Sequence, residues 1–192
     1  MQVVFDFDGT LADTWEQTIG LLREIHPELT AEHVELYRVG GAKKALASLK
    51  PSMFEVIRTV GLVQKGQYKI VAKARPFGGI KDLINDLRTE GIKVGILSKN
   101  TAENINKWLN KWQIEVDFLE TASVMVSKEK ILKKMKIDFY VGDEVRDVEA
   151  CKKVGVKIIA VSWGFNHKQS LIDAGADWVV ERVEEILDIV RK

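Results

Sequence analysis

Apolar and polar positions change their period twice along the chain. Val3, Val4, Phe5 and Phe7 form a short apolar run, interrupted by Asp6 and Asp8 and stopped by Gly9. That is the pattern of a buried parallel strand whose C-terminal end carries acidic groups. From Trp15 to about Ala74 the spacing turns helical, with Trp15, Ile19, Leu22 and Ile25 on one face and Pro27 closing the segment. Further helical stretches are expected over residues 31–37, 42–49, 53–60 and 67–74, with no strand among them.

After Arg75-Pro76-Phe77-Gly78-Gly79 helix and strand alternate. Ile80, Leu83, Ile84 and Leu87 line a helical face that stops at Gly91. The pattern then predicts a strand over 92–97, a helix carrying Ile105, Trp108, Leu109 and Trp112, and a short strand at Phe118-Leu119. Ser127 is placed to cap a helix bearing Ile131, Leu132 and Met135. A strand over 137–141 ends in Gly142-Asp143, and a helix through Val148, Cys151 and Val154 follows. Strands over 156–161 and 178–180 and a C-terminal helix on Val183, Ile186, Leu187 and Val190 complete the chain. Such alternation implies right-handed crossovers and an α/β fold: a Rossmann-like parallel sheet with helices on both faces. The expected core is 1–13 with 76–192, and residues 14–75 form a small all-helical insertion.

Composition narrows the class. At 46% hydrophobic the 192 residues can bury a sizeable core. The 29 basic and 28 acidic side chains nearly cancel, so no strong field draws the chain to nucleic acid or anionic membrane. With Cys151 alone, neither an internal disulfide nor a cysteine-rich zinc site can form. No apolar run approaches the roughly 20 residues needed to cross a bilayer. The opening MQVVFDFDG does not read as a signal peptide. A soluble, cytoplasmic protein is expected; nothing in the sequence sets its oligomeric state.

In open parallel sheets, ligands sit outside the C-terminal strand ends. Those ends here carry Asp6 and Asp8, then Ser98 and Asn100, then Asp143, and Lys128 opens a helix whose N-terminus points the same way. Clustered carboxylates repel unless a cation neutralises them. Hard oxygen ligands with open positions suit Mg²⁺, which keeps waters and accepts a phosphate. The lysine and hydroxyl supply donors to phosphoryl oxygens. The set suits phosphate.

These motifs are the ground for a family resemblance. Asp6-Phe7-Asp8-Gly9-Thr10-Leu11-Ala12-Asp13 resembles the first motif of haloacid-dehalogenase-superfamily phosphatases, and Ile96-Leu97-Ser98 resembles the second. Lys128 fits the third, with Lys130 as its competitor, and Gly142-Asp143-Glu144-Val145-Arg146-Asp147 is similar to the fourth. Pro76-Phe77-Gly78-Gly79 and Trp163-Gly164-Phe165-Asn166 look like the phosphoglycolate-phosphatase-like branch, and the inserted helices occupy the place of its first-type cap. The resemblance implies that Asp6 is the nucleophile of an aspartyl-phosphate mechanism and Asp8 the general acid and base. It implies Mg²⁺ on Asp6, on the Asp8 backbone carbonyl and on Asp143, with Asp147 in support. Ser98 and Lys128 would hold the phosphoryl group of a small phosphorylated metabolite, such as phosphoglycolate or a sugar phosphate. Asn100 and, from the insertion, Arg38 and Lys43 are candidate substrate contacts.

Three other readings stand beside this one: a β-phosphoglucomutase-like phosphomutase, a phosphoacceptor signalling domain, and a binding protein with a dead site. Elsewhere, His26, His33 and His167 are dispersed without metal-ligand spacing and are expected to be structural or solvated. Cys151 shares helical spacing with Val148 and Val154, which assigns it to packing. Trp163 is assigned to packing as well, and Lys133, Lys134 and Lys136 to a solvated face.

Overall fold

A computed structural model describes residues 1–122 and 127–192. In chain order its elements are β1 (Gln2–Phe5), β2 (Ala12–Asp13), α1 (Trp15–Ile25), α2 (Ala31–Ser48), α3 (Met53–Lys73), β3 (Arg75–Pro76), α4 (Ile80–Thr89) and β4 (Lys93–Ser98). They continue with α5 (Ala102–Trp112), β5 (Phe118–Thr121), α6 (Lys128–Leu132), β6 (Phe139–Gly142) and α7 (Val145–Val154). The last are β7 (Lys157–Val161), α8 (Lys168–Asp173), β8 (Trp178–Val180) and α9 (Glu184–Val190).

Six strands form one parallel sheet in the order β5-β4-β1-β6-β7-β8. The alternation of side chains along each strand divides the core into two layers. Val3, Phe5, Val94, Ile96, Val141 and Ile159 pack on one face against Ile84, Leu87 and Trp108. Val4, Leu97, Tyr140, Ile158 and Ala160 pack on the other against Leu132, Val148 and Cys151. Both faces are covered, so Val3, Val4 and Phe5 of β1 read as an unbroken apolar run. Leu87 is fully buried; truncating such a residue to alanine typically costs about 2–5 kcal/mol.

Three helices, α1 to α3, lie between β2 and β3. The two short strands pair antiparallel, Ala12 with Pro76 and Asp13 with Arg75, where the chain leaves the sheet layer and returns. The sequence pattern missed this ribbon, because two-residue strands carry no period. It also divided α3 in two near its glycines. The helix runs on through Gly66, which packs against Leu21 of α1 so tightly that a Cβ would collide, so tertiary contact outweighs the low helix propensity of glycine. The expected break in α2 is present: Gly41 adopts φ 75° and ψ 177°, splitting the helix into two arms. The short α8 was missed because Leu171 is its one buried apolar residue.

The insertion packs on the sheet domain through a cluster of Trp15, Ile19, Tyr37 and Ala45 with Phe165, which lies beyond β7. Trp15, Tyr37 and Phe165 meet edge-on, with centroids 5.3–5.8 Å apart. At the other side Trp108 and Trp112 both donate from Nε1 to Ala74 O, at 3.1 and 3.3 Å. Among the described residues no helix is long and apolar enough to cross a membrane.

Candidate active site

The strand order reverses at β1, which has β4 on one side and β6 on the other. A crevice at such a reversal is where open α/β sheets bind ligands. Asp6 follows β1 directly and is nearly fully buried. Its backbone N donates to Val141 O at 2.8 Å, which extends the β1–β6 pairing to this residue. Its Oδ1 accepts from Phe7 N at 2.7 Å, and its Oδ2 pairs with Lys128 Nζ. Gly9 adopts φ 77°, a conformation open to glycine, and so turns the chain back after Asp8.

Lys128 is the first residue of α6, set there by Ser127, whose side chain accepts from Lys130 N. Its ammonium bridges Asp6 and Asp147, at 2.9 Å from Asp147 Oδ1. Lys130, the competitor for this place, is exposed. On the β4 side, Asn100 is 1% exposed and donates from Nδ2 to Asp8 Oδ2 at 3.1 Å, while its N donates to Ser98 Oγ at 3.0 Å. Sequence-separated residues thus meet at this edge in two hydrogen-bonded groups, Asp6–Lys128–Asp147 and Asp8–Asn100–Ser98.

Asp143 is placed otherwise than expected. It is fully buried, but Oδ1 accepts from Thr10 Oγ1 and Oδ2 from Phe165 N, both at 2.7 Å, so both of its oxygens are engaged away from Lys128. The residue beside Asp6 and Asp147 is Glu144, which the sequence reading passed over. Oxygens of Asp6, Glu144 and Asp147 lie within 4.8 Å of one another. The signal was available: an acidic residue next to the strand-end aspartate, one step further round the same turn. Glu144 pairs through Oε2 with Arg146, and its Oε1 has no hydrogen-bond partner among the described residues although the residue is 2% exposed.

The insertion's two candidate contacts separate. Arg38 stacks on Trp15, with the guanidinium 4.0 Å from the ring centroid, and donates to Gly164 O at 3.3 Å. Lys43 lies beyond the Gly41 break, exposed, and among the described residues no hydrogen bond or ion pair joins it to the crevice. The three histidines hold structure: His26 bonds Thr59, His33 closes the α2 cap with Thr30, and His167 meets Glu35. Cys151 is buried in the core. Trp163 donates from Nε1 to Thr10 O at 3.3 Å, so it packs beside the site and braces its first turn.

Burial and mutual repulsion disturb this site. Burial pushes the Asp6 carboxyl up to about 7, against the opposing pull of Lys128, and Asp147 and Glu144 add to the rise. Burial likewise raises Asp143 well above the usual carboxylate range, with Glu144, Asp6 and Asp147 repelling it. Glu144 is raised by burial despite Arg146. Asp8 is raised by burial, while its bond from Asn100 works the other way. Burial opposes the charge on Lys128, but Asp147 and Asp6 outweigh it and hold the ammonium above the ordinary lysine value. Buried carboxylates this close together, with a buried oxygen of Glu144 that has no partner among the described residues, are a donor set that a divalent cation fits.

A cleft of about 470 Å³ opens at the other end of the sheet, lined by Asn85, Arg88, Thr89, Gly91, Ile92, Lys93 and Asp117. Its arginine is already paired with Glu115 at 3.0 Å, and among the described residues no carboxylate cluster faces it.

Comparison with known proteins agrees with this geometry. Residues 3–161 match the family of haloacid dehalogenase-like hydrolases. A phosphoglycolate phosphatase of Synechococcus elongatus is 29% identical over 203 residues, covering 98% of this chain and 96% of that protein. An N-acetylmuramic acid 6-phosphate phosphatase of Pseudomonas aeruginosa is 24% identical, covering 98% and 93%. Among solved structures, a predicted phosphatase from Clostridium acetobutylicum superposes with a TM-score of 0.83 at 18% identity, covering 100% of this chain and 98% of that one.

Proposed function

Because the chain belongs to the haloacid dehalogenase-like hydrolases and is a phosphatase of the phosphoglycolate-phosphatase-like kind, we propose that it hydrolyses a small phosphorylated metabolite by way of an aspartyl-phosphate on Asp6. The observation that carries this reading is the placement of two aspartates two residues apart in two different environments. Asp6 is gripped by Lys128, and Asp8 is held by Asn100. One is kept ready to attack and the other to carry a proton.

In the first half-reaction an Asp6 carboxylate oxygen attacks phosphorus and the bond from phosphorus to the leaving oxygen breaks. Asp8, held by Asn100 beside the nucleophile, gives its proton to that oxygen. In the second half Asp8 takes a proton from water, the water oxygen attacks phosphorus, and Asp6 is released together with inorganic phosphate. Ser98 and Lys128 bind the non-bridging phosphoryl oxygens. Lys128 also orients Asp6 through the bond it shares with Asp147.

Mg²⁺ is the cation this donor set suits, through Asp6, Glu144 and Asp147 with the Asp8 carbonyl and Asp143 as further candidates, and when bound it supplies positive charge against the phosphoryl oxygens. Arg38, at the seam between insertion and sheet domain, is the candidate contact for the leaving group.

The test is phosphate release from a panel of phosphomonoesters that includes phosphoglycolate and sugar phosphates, with Mg²⁺ and with excess chelator. Hydroxylamine trapping of the acyl-phosphate accompanies it. Release that depends on Mg²⁺ and is absent in Asp6→Asn supports the reading. Transfer of the phosphate back to substrate without net release replaces it with a mutase.

A further inference from the structure

Asn166 has no solvent exposure and no part in the chemistry above. Its side chain nevertheless serves backbone groups on both sides of the crevice. Oδ1 accepts at 2.8 Å from the N–H of Val145, the first residue of α7 and two residues past Asp143. Nδ2 donates to Tyr37 O at 2.8 Å and to Arg38 O at 3.0 Å, both in α2 of the insertion. Two carbonyls demand the NH₂ and one N–H demands the oxygen, so a single orientation of the amide satisfies all three.

Its chain neighbours make the same connection. Phe165 N donates to Asp143 Oδ2, Asn166 N to Asp143 O at 3.3 Å, and His167 N to Arg38 O at 2.9 Å. The acceptors in α2 trace back to the sequence. The break at Gly41 takes following N–H groups out of the helical ladder, which leaves carbonyls of the preceding turn for donors from outside. A glycine in the insertion and an asparagine beyond β7, 125 positions apart by number, meet in one joint.

We propose that Asn166 is a positioning residue that couples docking of the helical insertion to the geometry of the carboxylate-bearing turn 143–147. The proposal rests on the phosphatase reading for its kinetic consequence and on the hydrogen bonds alone for its structural one. When the insertion lifts, Asn166 loses Tyr37 and Arg38, and its hold on Val145 loosens in the same movement. When the insertion docks over substrate, the turn that carries Asp143, Glu144 and Asp147 is fixed. Water is thereby excluded at the step at which the carboxylates are aligned.

Three variants of the full chain separate the two sides of the joint. Gly41→Ala disfavours the φ of 75° and acts on the insertion side. Val145→Pro removes the donor on the other side, at a first helical position where proline's φ suits the helix. Asn166→Ala removes both links. The readouts are steady-state hydrolysis of phosphoglycolate and of acetyl phosphate, a small acyl phosphate, and amide hydrogen exchange over residues 31–40.

Gly41→Ala is expected to raise KM for phosphoglycolate about tenfold, the effect of roughly one lost docking contact, to speed exchange and, through Asn166, to lower kcat for acetyl phosphate as well; faster exchange with acetyl phosphate turnover unchanged overturns the coupling. Val145→Pro is expected to lower kcat for both substrates and, through Asn166, to speed exchange over residues 31–40. Asn166→Ala should show both effects, and the two single-sided variants keep the test intact if it folds poorly. An Asn166→Ala enzyme that only melts earlier, with kinetics and exchange unaltered, overturns the proposal. Should the wild type hydrolyse neither substrate, the phosphatase reading fails, while exchange still decides the joint: faster in Asn166→Ala and Gly41→Ala supports it, unchanged overturns it.

Discussion

Lys128 Nζ lies 2.9 Å from Asp147 Oδ1, and on its other side it pairs with Asp6. One buried ammonium therefore bridges two carboxylates far apart in the sequence, and the third, Glu144, is left to Arg146. Removing one partner of a buried ion pair strands the other, at a cost of about 3–5 kcal/mol. Lys128→Met should lower the thermal midpoint by several degrees and reduce phosphate release by at least about a thousandfold. Thermal denaturation and a phosphate assay read the two effects. A variant that melts like wild type would show that Lys128 is not the counter-ion of this cluster.

Asp6→Asn should abolish turnover while leaving the melting temperature nearly unchanged. The amide keeps the shape and the bond from Phe7 N, and it removes a charge that burial opposes. Phosphate-monoester hydrolysis is among the slowest uncatalysed reactions, with accelerations up to about 10²¹ known, so loss of the attacking oxygen is plain in any assay. Near-normal activity in Asp6→Asn would refute the aspartyl-phosphate route.

Asn100→Ala removes the amide that donates to Asp8 Oδ2 in the crevice. General acid catalysis contributes about 10²–10⁴-fold, and a mispositioned acid forfeits part of it. The expected loss in kcat is about tenfold or more for an alkyl phosphate and small for p-nitrophenyl phosphate, whose leaving group needs no proton. Equal losses on both substrates would exclude this role for Asn100.

Mg²⁺ should raise the melting temperature of the metal-free protein, by an amount that follows mass action and reaches about 2.7 kcal/mol at a concentration one hundred times the dissociation constant. Glu144→Gln should shrink that increment, since Glu144 brings an unpartnered oxygen into the cluster. Ca²⁺, with its looser coordination, should stabilise the fold yet support little turnover. Calorimetric titration of both ions into wild type and Glu144→Gln decides the matter; indistinguishable affinities would remove Glu144 from the metal site.

Arg38→Ala should change the preference among phosphomonoesters, because its guanidinium sits at the seam on Trp15 and Gly164. Lys43→Ala, on the exposed arm beyond Gly41, should leave every substrate unaffected. Ratios of kcat/KM across the panel compare them, and a larger effect from Lys43 would reverse the assignment.

The apolar run Val3–Phe5 with acids beyond it, the alternation after Arg75 and the helical spacing of 15–74 were enough to set the sheet, its parallel sense and the helical insertion. These depend on local period, and local period survives any packing. The gathering of Asp6, Asp8, Ser98, Asn100 and Lys128 at one edge of the sheet was legible for a related reason. A parallel sheet sends every strand's C-terminal end to the same edge, so position along the chain foretells position in space. Lys128 over Lys130 was legible too, through the capping serine.

What the sequence by itself could not determine was direction and distance. Whether Asp143 or Glu144 turns toward Asp6 depends on Thr10 and Phe165, which are 133 and 22 positions from Asp143. The two-residue ribbon of β2 and β3 has no pattern of its own and exists because the insertion's ends must meet. Gly66 stays helical because Leu21 fills the space beside it. Asn166 looked like one polar residue in a loop; its role arises where Gly41 has opened a helix that lies more than a hundred residues earlier. Hydrogen bonds of this range are set by the packed chain, since their partners become neighbours only after the sheet has formed.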